Sequence, residues 1–265
     1  MSLINLSTQV KEQLEKVSRI ADYLWSREWA ERNAGNISIN LSAYFVNKEI
    51  QNKGRFIECD LPVEAGGLTL FVSGKGCYLR DLINKIDKAA CILHINSKAT
   101  GYYIIWGGCS ANFEPTSELI SHLKIQYFNS LHNPKHIAVV HTHPIELIVM
   151  SHHNLFQDEN EFNKSLWMMC PEVRLFVPKG VSCIPYALPG SKALAEITIK
   201  GLKNRDVVLW EKHGALATGE DAEKAFDYLD VANKGAKLLL TAWSAGFQPK
   251  GLTDKELKEL EQFLE

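Results

Sequence analysis

The chain has 265 residues, 46% of them hydrophobic, with a formal net charge of -2, so it holds enough apolar material for a sizeable core and lacks the basic footprint of a nucleic-acid binder. No apolar run approaches the length of a bilayer span, and Met1-Ser-Leu-Ile-Asn-Leu-Ser-Thr8 lacks a basic stretch followed by an apolar one, so neither a membrane segment nor a secretory signal is expected. Six cysteines (Cys59, Cys77, Cys91, Cys109, Cys170 and Cys183) are scattered without CxxC spacing, which predicts reduced thiols in a soluble cytoplasmic protein.

In chain order, Val10, Leu14, Val17, Ala21 and Leu24 recur at helical spacing and predict a helix from Ser7 to about Glu31. Asn33-Ala-Gly-Asn36 breaks it, and Ile37, Ile39 and Leu41 then alternate with polar residues as in a strand. Residues 44–66 read as a loop or short strand excursion, with turn signals at Asn52, Lys53 and Gly54 and again at Ala65 to Gly67. Leu68 to Val72 is a strand closed by Ser73-Gly-Lys-Gly76, and a short helix over Leu79 to Ile86 and strands over Ala89–Ile95 and Gly101–Trp106 follow. Pro115-Thr-Ser-Glu118 opens a helix to about Leu131, with Thr116 or Ser117 as its cap.

The apolar run Ile137–Val140 reads as a buried strand, and residues 144–150 and 158–169 as helical. Val173–Val177 and Ser182–Tyr186 read as strands around a Pro178-Lys-Gly180 turn, and Ser191 caps a helix to about Lys203. Val207–Trp210 is another buried strand, which Ala215–Thr218 continue; helices from Glu220 and Thr253 end the chain. Strands outnumber helices and several are joined by short turns. This predicts a single three-layer α/β domain over 1–265, with a mostly antiparallel or mixed central β-sheet covered by helices on both faces.

The chemistry gathers around His141 and His143. Residues two apart in a strand face the same side, so both imidazoles aim at one spot. That arrangement suits a metal, and equally a histidine pair satisfied by backbone groups. His213 follows a second buried run and precedes Gly214, which lets other groups approach; two strands ending side by side would bring it opposite His141 and His143. His94, His122, His132, His152 and His153 have no partner at ligand spacing. Glu118 is the candidate acid–base residue, although a glutamate in a first helical turn is favoured by the helix dipole whatever its function. The turns Asn33–Asn36 and Ser73–Gly76 offer backbone N–H groups to an anion, but neither is a P-loop.

Taken together, Glu31-Arg-Asn-Ala-Gly-Asn-Ile-Ser38, Pro115-Thr-Ser-Glu-Leu119, Val139-Val-His-Thr-His143 and Val208-Leu-Trp-Glu-Lys-His-Gly214, in this order and spacing, resemble the class II aldolase/adducin-head family. The resemblance spans roughly residues 20–245, and the Gly101-Tyr-Tyr-Ile-Ile-Trp-Gly107 and Leu166-Trp167 segments extend it. It implies one Zn²⁺ per subunit on His141, His143 and His213, with Glu118 as the catalytic acid–base. The implied reaction cleaves L-rhamnulose 1-phosphate to dihydroxyacetone phosphate and L-lactaldehyde through a metal-stabilised enediolate.

Asn33, Gly35, Asn36, Ser73, Gly74, Lys75, Gly76 and Ser117 match the family's phosphate-binding positions; Lys75 stands where the family's turn has serine and can meet phosphate as a point charge. Glu172 matches a carboxylate that reaches a neighbouring subunit's site, which implies a homotetramer with the active site at the subunit interface. The implied partner is a small sugar phosphate, with no nucleic acid or membrane. Fuculose-phosphate aldolase, a sugar-phosphate 4-epimerase and a related dehydratase share the metal histidines; a non-catalytic adducin-like module lacks the complete set. A zinc hydrolase, reached without any family, lacks HExxH.

Overall fold

A computed structural model of the chain describes residues 4–45, 50, 53–110 and 112–263. Nine strands form one sheet: β1 (Asn36–Asn40), β2 (Arg55–Glu58), β3 (Thr69–Ser73), β4 (Ala90–Ile95), β5 (Gly101–Gly107), β6 (Ala138–Thr142), β7 (Val181–Ile184), β8 (Val207–Trp210) and β9 (Gly214–Gly219). Their order across the sheet is β2-β5-β4-β3-β1-β6-β9-β8-β7. Every neighbouring pair is antiparallel except β7 and β8. The sheet is therefore mixed, as the short connections between strands predict. Central strands such as β4 and β6 are buried at every residue, whereas the edge strand β2 alternates, as expected for a sheet covered on both faces at its centre.

Alternate residues of each strand serve different faces. Ile37, Ile39, Phe71, Ile92, Val140 and Leu209 pack with the Thr8–Ser26 and Ala222–Ser244 helices. On the other face, Leu70, Val72 and Leu93 meet Leu119 and Leu123 of the Leu119–His132 helix, while Val139, Val208 and Leu216 meet Ile125 and the Lys192–Leu202 helix. The predicted stripe Val10, Leu14, Val17, Ala21 and Leu24 is buried, and Ser7 caps that helix by accepting from Val10 N–H.

Several expectations require correction. The first helix stops at Ser26; the chain then turns through left-handed backbone at Glu28, Arg32 and Gly35 on its way to β1. The Leu79–Ile86 stretch divides into a 3₁₀ turn at Leu79–Leu82 and a helical turn at Ile86–Ala89. Residues 55–58 make the strand excursion β2, and the turn expected at Asn52 lies outside the described residues. Val173–Val177 is no strand: Pro171–Phe176 is helical, with Pro171 in the first turn and Glu172 beside it. Those start signals outweigh the β-branched valines, because five residues are too few for periodicity to separate strand from helix. Ala215–Thr218 do not continue β8 but turn back antiparallel to it as part of β9.

Candidate active site

The site lies where the ends of β1, β3 and β6 meet the β8–β9 turn and the start of the Leu119–His132 helix. Strand β6 delivers His141, and His143 follows immediately beyond it on the same side. Among the described residues, His141, His143 and His213 form a group whose ligand atoms all lie within 4.8 Å of one another. Their ring centroids are 5.0–5.4 Å apart.

His213 arrives by a different route from the expected one. Strands β6 and β8 are not neighbours; β9 lies between them. The three-residue turn Glu211-Lys-His213 reverses the chain, with Lys212 in left-handed backbone and its N–H donating to Ser151 Oγ at 2.8 Å. That turn swings His213 over β9 towards the β6 pair. Gly214 makes room: an added Cβ would fall 2.7 Å from His143 Cδ2 and 2.9 Å from His141 Cε1.

The hydrogen bonds around the imidazoles favour metal ligation. His141 Nδ1 lies 3.0 Å from the Ala215 carbonyl and His143 Nδ1 lies 2.8 Å from Glu31 Oε1. A carbonyl and a carboxylate only accept, so each Nδ1 carries the proton and each Nε2 keeps its lone pair. Among the described residues, His213 Nδ1 is buried without a hydrogen-bond partner, so no group of the protein competes for it. Burial, then the neighbouring His143 and His213, holds His141 well below the usual imidazole range; burial likewise lowers His213, against the opposing charge of Glu118. Neutral imidazoles are what a metal requires. The donor set therefore fits a Zn²⁺-type ion. Trp210 backs the cluster, its ring centroid 4.5 Å from His141 and 5.1 Å from His213.

Glu118 is buried, and its Oε2 accepts from Asn36 Nδ2 at 2.9 Å. It occupies the cap position before the helix, not the first turn, and neither Thr116 nor Ser117 caps that helix. It faces a cleft of about 140 Å³, whose wall includes the three histidines, Asn33, Gly35, Asn36, Gly74, Lys75, Gly76 and Ser117. Both glycine-containing turns therefore share one cleft with the histidines. Gly35, at φ +77°, is irreplaceable on space alone: a Cβ would sit 2.8 Å from the His141 carbonyl oxygen. The Ser73–Gly76 turn is pinned by Lys75 N–H to Glu114 O and Thr116 N–H to Ser73 O, both 2.9 Å.

Two predicted residues stand elsewhere. Ser73 is buried behind the wall, its Oγ accepting Ile37 N–H at 3.1 Å. Glu172 is exposed, 3.9 Å from Lys234, and does not line the cleft. Lys75 lines it, but its ammonium rests 2.6 Å from Glu114 Oε2. Residues 15–240 match the family model described as Class II Aldolase and Adducin N-terminal domain.

This chain belongs to that family.

A rhamnulose-1-phosphate aldolase of Bacteroides thetaiotaomicron is 40% identical to it, covering 98% of this chain and 96% of the relative. One of Listeria welshimeri is 30% identical, covering 93% and 90%. The crystal structure of a sugar-phosphate aldolase from Thermotoga maritima superposes with a TM-score of 0.78 at 30% identity, covering 92% of this chain and all of the other. The chain is thus a lyase of the class II aldolase type, and its three histidines could hold the metal that class needs. No helix among its described residues is long and apolar enough to cross a membrane.

Three contributors to this aldolase site escaped sequence reading. Glu31 orients His143, Trp210 packs on two imidazoles, and His122 lies behind Asn36. The signal for His122 is the column Glu118, His122, Gln126, four residues apart on one helix face.

Proposed function

We propose that this aldolase cleaves the C3–C4 bond of L-rhamnulose 1-phosphate, releasing dihydroxyacetone phosphate and L-lactaldehyde. The observation that carries the reading is the single cleft in which three imidazoles, the buried carboxyl of Glu118 and two glycine-containing turns converge. The substrate comes from the relatives' names, above all the 40%-identical one.

In this reading His141, His143 and His213 hold one Zn²⁺ per subunit, which supplies Lewis-acid stabilisation of the negative charge that develops on the ketone fragment. The chain's own groups do the rest. The Asn33–Asn36 and Ser73–Gly76 turns seat the phosphate through the N–H groups of Gly35 and Gly76, with Ser117, since those of Ala34, Gly74 and Lys75 are held by the Glu31, Ala89 and Glu114 carbonyls; the Lys75 ammonium exchanges Glu114 for the phosphate as a point charge. Gly76, at φ +70°, has open space where a side chain would stand. Asn36 anchors Glu118 through Oε2, leaving Oε1 to take the proton that the C4 hydroxyl gives up as the C3–C4 bond breaks and to return it to C3 of the departing three-carbon fragment, with the reverse transfer in the synthetic direction.

Glu172, exposed and away from its own cleft, serves the aldehyde end of a neighbouring copy's site in a cytoplasmic homotetramer of one-domain subunits. The test is incubation of the purified, zinc-loaded protein with L-rhamnulose 1-phosphate and with L-fuculose 1-phosphate, coupled to detection of dihydroxyacetone phosphate. Preferential release from the rhamnulose ester is expected. Release from the fuculose ester alone overturns the substrate, and release from neither overturns the reaction.

A further inference from the structure

Behind Glu118 runs a buried polar chain that the proposed reaction does not by itself require. Asn36 and Ser38, two apart on β1, face His122 and Gln126, four apart on the Leu119–His132 helix. Gln126 Nε2 donates to Ser38 Oγ at 3.0 Å; Ser38 Oγ lies 2.7 Å from His122 Nδ1; His122 Nε2 bonds Asn36 Oδ1; Asn36 Nδ2 donates to Glu118 Oε2 at 2.9 Å. All five side chains are buried.

The direction of every proton in this chain follows from its end. A carboxylate only accepts, so the amide of Asn36 must present Nδ2 to Glu118 and Oδ1 to His122. Oδ1 only accepts, so His122 must carry its proton on Nε2. Its Nδ1 is then bare and accepts the Ser38 hydroxyl proton, while the hydroxyl oxygen accepts from Gln126. With a neutral imidazole, reversing a link sets two acceptors or two donors against each other among buried groups, which is costly. We infer that His122 is a positioning residue: through the Asn36 amide it fixes the rotamer of Glu118 and leaves Oε1 free over the cleft.

This inference rests on Glu118 being the proton-transfer group, and the test separates the two. Four variants, Glu118→Gln, His122→Phe, His122→Gln and Ser38→Ala, are compared for metal content, thermal midpoint, kcat, KM and exchange of the hydroxymethyl hydrogen of dihydroxyacetone phosphate with deuterated water. Glutamine reaches as far as Nε2 and can donate to Asn36; phenylalanine fills the space and cannot. With metal retained, His122→Phe should lose about 10–100-fold in kcat and in exchange with KM little changed, the size typical of lost outer-shell support. His122→Gln should recover most of that loss, and Ser38→Ala should fall between. NMR of 15N-labelled histidine, with His122→Gln as the blank, should place the His122 proton on Nε2.

A folded, metal-loaded His122→Phe with parental kcat, or a proton on Nδ1, overturns the inference. So does His122→Gln being as slow as His122→Phe, or Ser38→Ala keeping the parental rate should His122→Phe not fold. Normal turnover and exchange in Glu118→Gln instead overturns the reading of Glu118.

Discussion

Gly214 and His143 are packed so closely that one added carbon has nowhere to go: a Cβ at Gly214 would stand 2.7 Å from His143 Cδ2. The same carbon would lie 2.6 Å from the Thr142 carbonyl oxygen and 2.9 Å from His141 Cε1. Gly214→Ala must therefore displace two of the three ligands at once. We expect zinc affinity to fall about 10–100-fold, the range found when ligand orientation is disturbed, with secondary structure intact. Zinc titration of the metal-free protein checks this. Unchanged affinity would mean that the imidazoles adjust freely.

Glu31 holds His143 from outside the cluster. Its carboxylate lies 2.8 Å from Nδ1 and is itself largely exposed. Glu31→Gln should weaken zinc binding by a similar factor of about 10–100, yet change the unfolding free energy by only about 0.5 kcal/mol or less, as for most surface substitutions. Equal losses of affinity and stability would instead make Glu31 a structural residue.

Burial drives His122 down from its ordinary 6.5 to about 4, against the pull of Glu118. The unfolded chain takes up that proton below about pH 6.5, while the folded chain resists until about pH 4. Its contribution to stability is therefore complete above 6.5 and is lost as pH falls through this window, at up to about 1.4 kcal/mol per pH unit. Urea unfolding of the metal-free protein at several pH values should reveal the slope, and His122→Gln should make it shallower, the buried His141 and His213 supplying the remainder. An identical slope in that variant would assign the proton uptake elsewhere.

How much of this was legible in the chain depended on the range of each interaction. His141 and His143 could be paired from the strand period alone, and the mixed sheet from short connections between strands. His213 was found because it follows the buried run Val207–Trp210 and precedes Gly214, and the fold bears out both; the expected adjacency of β6 and β8 it does not, since β9 lies between them and the β8–β9 turn brings His213 round. The helix Pro171–Phe176 was missed because its apolar residues suit either element at that length. Ser73 was placed in the phosphate site as a whole residue, yet its hydroxyl is committed to Ile37 N–H. Burial of that kind is set by the neighbouring strand. His122 was passed over because its partners, Asn36 and Ser38, are more than 80 residues away.

The central claim is that the three histidines hold the metal while Glu118 moves the proton. The most direct measurement is the rate of L-rhamnulose 1-phosphate cleavage by Glu118→Gln with its zinc content matched to the parent. Glutamine keeps the size of the side chain and cannot transfer a proton as a carboxyl does, so the rate should drop about 10²–10⁴-fold, the contribution of a positioned acid–base group. A zinc-loaded variant that turns over at the parental rate would contradict the account.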